Sequence, residues 1–160
     1  MTTSEALQNK LQDVLSGKPW YGPAAYNILG KISIEAAYDK PPGSIHNIAE
    51  ILLHMLGWTQ EVTERMHGKK AGTPDGGDWP DAGTPDEHHW QTLLSDYKLA
   101  NTILAGVIQN FDEHKWGQPT NDYRYSDTGE GATYAELIEG LIQHHIYHSG
   151  QIALLNRILS

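Results

Sequence analysis

The sequence contains no cysteine. That removes disulfides, thiolate metal ligands and a cysteine nucleophile together, and it fits a cytoplasmic protein. Positive charge is scarce: 11 Lys and Arg stand against 20 Asp and Glu, giving a formal net charge of −9. An acidic surface repels phosphate backbones, so no nucleic-acid partner is expected. No apolar run approaches the roughly 20 residues of a membrane span, so the chain is expected to be soluble, without a membrane partner. The opening residues lack the basic region and apolar stretch of a secretion signal. Strand-like alternation of β-branched residues is missing, as are internal repeats and low-complexity tails. There is no Gly-x-Ser-x-Gly elbow and no His-Glu-x-x-His, so neither a serine hydrolase of that type nor a typical zincin protease is indicated. With 160 residues and 39% hydrophobic content, the chain reads as one domain over 1–160.

What the sequence does have is helical periodicity. Residues 4–16 read as a first helix, with Leu7, Leu11, Val14 and Leu15 at helical spacing. Gly17-Lys-Pro-Trp-Tyr-Gly-Pro23 breaks it, and 24–31 can restart a helix behind Pro23. After Pro41-Pro-Gly43, Ser44 is the predicted N-cap of a second long helix running to about His67. Its stripe is Ile45, Ile48, Leu52, Met55, Leu56, Val62 and Met66. Residues 68–85 are rich in Gly, Pro and Asp and read as a long loop. Pro85 opens a third helix to about Phe111, with Trp90, Leu93, Leu94, Tyr97, Leu104, Val107, Ile108 and Phe111 as its stripe. Residues 112–132 are irregular. Thr133, with Glu136 three positions on, predicts a capping box for a last helix ending near Leu159. Four long amphipathic segments predict an all-α four-helix bundle with long connecting loops. Trp58, Trp79, Trp90 and Trp116 are expected to fill the core or loop bases.

The last helix carries the chemistry. His144 and His148 lie four residues apart, which stacks two imidazoles on one helix face, where they can share a divalent ion. At about 100° per residue, with Leu141 at zero, Leu137, Ile152, Leu155 and Leu159 fall within about 40° of it. His148 lies about 20° off that stripe and His144 about 60° off, on the same side, while His145 lies about 40° off on the other. Both flanks face a core or a cavity within it, so geometry alone leaves His145 open. A satisfied core histidine is the simpler fate of any one buried imidazole. A third ligand is needed, and His46, His54, His67, His88, His89 and His114 are available. His54 is set among apolar residues but far round from the stripe of its helix, which suits a cavity or solvent equally.

Trp20-Tyr-Gly-Pro23, Pro42-Gly-Ser-Ile-His-Asn-Ile-Ala-Glu-Ile-Leu-Leu-His-Met-Leu-Gly-Trp58 and Gln143-His-His-Ile-Tyr-His-Ser-Gly-Gln-Ile-Ala-Leu-Leu155 together resemble the DinB-like (YfiT-like) superfamily of metal-binding four-helix bundles. The closing His-x-x-Tyr-His-x-Gly-Gln-Ile element is fairly specific, whereas the first helix is not. The resemblance implies that His54, His144 and His148 form a three-histidine metal site and that His145 is not a ligand. It implies a water or substrate in the open positions, and a homodimer. The departures are mild: Asn47-Ile48 follow His46, and Ala49 stands where a larger residue is common.

A bound divalent ion, Zn or Ni first among the imidazole-loving metals, lowers the pKa of a coordinated water or thiol. The expected function is therefore a metal-dependent hydrolase or thiol-dependent S-transferase acting on a small molecule, with a low-molecular-weight thiol as a co-substrate. The alternative is a non-catalytic, stress-linked metal-binding or structural dimer, whose metal only staples the helices. Glu50, one turn before His54, is a candidate general base or partner to a ligand, with an exposed helix carboxylate as the simpler reading. Tyr147 and Gln151 are candidates for the pocket wall. Tyr123 and Arg124, with Tyr125, are candidates for substrate contact from the second long loop.

Overall fold

The computed structural model describes residues 1–124 and 131–160. Among these, the regular elements are helices, with one isolated antiparallel bridge between Pro119 and Thr133 outside them. Four are long: α1 (Thr3–Ser16), α4 (Ile48–Met66), α5 (Glu87–Gln109) and α6 (Tyr134–Leu159). Two are short, α2 (Ala25–Leu29) and α3 (Ile34–Tyr38), and a 3₁₀ turn spans Glu113–Lys115. Among the described residues, no helix is long and apolar enough to cross a membrane.

The start signals explain where the helices begin. Thr133 and Glu136 form the expected capping box of α6, and Thr2 with Glu5 forms another at α1. The start of α4 differs from expectation. Ser44 donates its hydroxyl to the His46 carbonyl at 2.6 Å, and Asn47 is the cap, its Oδ1 accepting from the Glu50 N–H at 2.8 Å. Ile45 therefore lies before the helix rather than on its stripe, and is 79% exposed. The third long helix opens at Asp86, whose side chain accepts from the His89 N–H. Helix α3, too short for periodicity to reveal, is capped by Ser33 and buries Ala36 and Ala37.

Each long helix packs against two others: α1 against α5 and α6, and α4 against α5 and α6. The buried cluster runs through Leu7, Leu11, Leu52, Met55, Trp90, Leu104, Ile108, Leu141 and Ile152. Burying such side chains stabilises the fold by about 1.5–3 kcal/mol each. On α6 the buried residues are Ile138, Leu141, Ile142, His145, His148, Ser149 and Ile152. The buried face is rotated towards His145 from the expected stripe, because Leu137, Leu155 and Leu159 are only partly buried. That rotation leaves His144 and His148 on the flank that faces α4.

The 68–86 loop is pinned to α4. Glu61, 2% exposed, receives Arg65 at 2.6 Å and Lys69 at 2.5 Å. Burial pushes the Glu61 carboxyl up, but hydrogen bonds from Lys69 and Arg65 outweigh it and hold it below its usual value. Arg65 then donates to the Gly72 carbonyl at 2.5 Å and lies over the Trp58 ring. The loop turns at Gly77 and Gly83, whose φ values of 93° and 80° favour glycine.

Candidate metal centre

Helices α4 and α6 bring His54, His144 and His148 together, with one nitrogen of each lying within 4.8 Å of the others. His54 and His148 are both 5% exposed. The Nε2 atoms of His54 and His144 face each other at 3.0 Å. The ring centroids of His144 and His148 are 4.4 Å apart, and those of His54 and His148 are 4.7 Å apart.

Partners on the far side of two rings set their tautomers. His54 Nδ1–H donates to the backbone carbonyl of Asp78 at 2.6 Å. The Asp78 carboxylate stands 3.3 Å from the same nitrogen and accepts from Trp58 Nε1 at 2.8 Å. His148 Nδ1–H donates to Gln151 Oε1 at 2.7 Å. Each Nε2 is thus the lone-pair nitrogen. An acceptor behind the ring is the usual way a metal-binding imidazole is oriented and made more basic.

Two of the rings, His144 and His148, are biased towards the neutral form. Burial, then His148 and His54 beside it, pulls the His144 pKa down to about 4. Burial also lowers His148, with His54 adding to it, against an opposing hydrogen bond from Gln151. Neutral imidazole is the form that binds a metal.

The residues fit a divalent ion. Tetrahedral zinc with bonds of about 2.0–2.1 Å holds two ligand nitrogens about 3.3–3.4 Å apart, and the His54–His144 pair is within a few tenths of that spacing. Without an ion, and with the His54 lone pair on Nε2, the close contact needs a proton on His144 Nε2. His144 Nδ1 is buried with no hydrogen-bond partner, and it stays so whether a proton or an ion occupies Nε2.

His145 belongs to another network. It is fully buried, with Nδ1 2.8 Å from Tyr97 Oη and Nε2 2.9 Å from Asn101 Oδ1. Both nitrogens are engaged in the core, and burial pulls its pKa down to about 3.

The other candidates separate around this centre. Gln151 holds His148. Tyr147 meets His148 edge-on, with centroids 4.9 Å apart. Glu50 faces His46 Nδ1 at 3.0 Å and Lys40 at 3.9 Å. Tyr123 is 62% exposed, and Arg124 forms an ion pair with Asp122 at 2.6 Å. Tyr125 lies outside the described residues. Sequence reasoning missed Asp78 and Trp79. Trp79 stacks between His46 and His54, with centroids 3.8 Å from each. Neither a backbone carbonyl nor a loop indole leaves a periodic trace; only a Trp in an otherwise Gly-, Pro- and Asp-rich loop hinted at it.

The sequence profile of the DinB superfamily matches residues 24–152, a stretch that includes all three histidines. Comparison with curated proteins and with solved structures gives no match.

Proposed function

The chain belongs to the DinB superfamily, and from that premise we propose that it is a metal-dependent enzyme that activates a small nucleophile, water or a low-molecular-weight thiol, for attack on a small molecule. The four long helices are then the four-helix bundle of the DinB type, with His54, His144 and His148 as the metal ligands. The observation that carries this reading is the convergence of three imidazoles, two with Nδ1–H tied back to Asp78 and Gln151.

A divalent ion in such a site, Zn or Ni, supplies Lewis acidity that makes a coordinated water or thiol more acidic near neutral pH. The chain's own residues do the rest. The Asp78 carbonyl and Gln151 hold the rings of His54 and His148 in one orientation. Trp79 covers one face of His54, and Trp58 stands edge-on to His144. These indoles limit water around the ligands and lower the local dielectric, which strengthens the electrostatics inside.

Elemental analysis of the purified protein tests this, with His54→Ala and His148→Ala beside the wild type. About one metal per chain in wild type, lost in both variants, is the expected result. No metal in the wild type after reloading with Zn²⁺ or Ni²⁺ would end the proposal.

A further inference from the structure

A cavity of ≈ 430 Å³ opens beside His148. This is near the lower end of the roughly 300–1,000 Å³ typical of small-molecule sites. Its apolar walls come from three places: Ile51 on α4, Tyr147, Leu154 and Leu155 on α6, and Trp79 on the loop. The rim carries Ile45, displaced out of α4.

Three of the polar groups there are already engaged. Ser44 Oγ donates to the His46 carbonyl, His46 Nδ1 is held by Glu50, and Gln151 Oε1 accepts from His148. Gln151 therefore has only its amide N–H donors to offer. No Lys or Arg is among the cavity-lining residues. Lys40, a cation at this corner, is paired with Glu50 at 3.9 Å. A charged group moved into such a wall loses hydration without gaining a countercharge, and the neutral donors of Gln151, Trp79 and Tyr147 compensate it only in part. The net charge of −9 further disfavours an anion. A cationic body meets the favourable net charge but no free carboxylate, since none lines the cavity and the nearby Glu50 already faces His46 and Lys40.

We propose that this cavity holds the body of the substrate, and that the body is uncharged and apolar, bounded by Trp79 and Tyr147, with its reacting head towards His148. This rests on the metal-centre reading for the head and on the cavity's own chemistry for the body. It distinguishes an uncharged substrate from phosphorylated, carboxylated or aminated ones, whose charge would fall in the apolar part.

Three probes share one ring and one hydroxymethyl head and differ only at the far end: 4-methylbenzyl alcohol, 4-(hydroxymethyl)benzoate and 4-(aminomethyl)benzyl alcohol. Their binding is followed by the Trp79 indole N–H signal in NMR titrations, with Trp79→Phe used for assignment, on metal-free and zinc-loaded protein. The methyl compound is expected to bind at least about tenfold more tightly than either charged one in both forms. Leu154→Lys, at a position 60% exposed, is expected to narrow or reverse the gap for the carboxylate. Equal or tighter binding of a charged probe to the wild type would overturn the proposal, as would an unmoved Trp79 signal with all three at millimolar concentration. Preference for the methyl compound by a protein that binds no metal would support the cavity assignment while ending the metal-centre reading. A metal-loaded protein without the preference would do the reverse.

Discussion

The indole of Trp79 lies 2° from parallel to the imidazole of His54, with ring centroids 3.8 Å apart. His46 covers the opposite face of the same indole at 5° and 3.8 Å. A loop residue is thus intercalated between a candidate ligand and the residue just before the Asn47 cap of α4. The preceding residue, Asp78, receives the His54 Nδ1–H. Two consecutive loop positions therefore set both the tilt and the tautomer of one ring.

Gln151 plays the matching part for His148. Gln151→Leu leaves the His148 Nδ1–H without its acceptor and frees the ring to turn. Zinc affinity is expected to fall about 10–100-fold, as is usual when the partner behind a ligand is removed. Competition against a chromophoric chelator measures this, and an unchanged helical circular dichroism spectrum separates it from unfolding. Gln151→Glu keeps the acceptor and is expected to retain most of the affinity.

His145 separates core from site. His145→Gln is expected to leave metal content unchanged while lowering stability by about 1–3 kcal/mol, through imperfect replacement of the Tyr97 and Asn101 bonds. The same residue makes the metal-free protein acid-sensitive. Its folded pKa, about 3, lies below the ordinary imidazole value of 6.5, so below pH 6.5 the unfolded chain binds a proton that the folded one refuses. The stability from this group is complete above pH 6.5 and declines as the pH falls towards about 3. The slope from His145 alone is about 1.4 kcal/mol per pH unit. Urea midpoints between pH 5 and pH 7 should show the decline in wild type and a shallower one in His145→Gln.

Glu61→Ala tests the anchor of the loop. It leaves Arg65, 8% exposed, without its carboxylate, and breaking a buried ion pair on one side costs about 3 kcal/mol or more. Because Arg65 also holds the Gly72 carbonyl, proteolysis within 68–86 should speed up before the helices become susceptible. Equal protection of loop and helices in the variant would show that the anchor does not govern the loop.

The helical fold was legible because α1, α4, α5 and α6 each repeat apolar residues at a helical period. The boundary of α4 was not. Ser44 and Asn47 are both competent caps, and Ser44 spends its hydroxyl on the His46 carbonyl two residues on, leaving the cap to Asn47. His144 and His148 were visible from their spacing alone. His54 was visible through family resemblance and not through periodicity, since its position far round from the α4 stripe fits solvent and cavity alike. Choosing the Leu137–Leu155–Leu159 stripe for α6 left His145 undecided. The helix is rotated so that His145 meets Tyr97 and Asn101 on α5, an inter-helix contact that no single-helix pattern contains.

The facing nitrogens of His54 and His144 belong to residues 90 positions apart in the chain. Polymer closure over that contour is an entropic burden of folding that grows with the logarithm of its length. An ion bridging the two rings acts as a reversible cross-link over that stretch. Refolding with and without zinc would therefore differ in more than the final site. The metal would favour chains whose two ends of this stretch have already met, so that the same atoms would serve both metal binding and assembly.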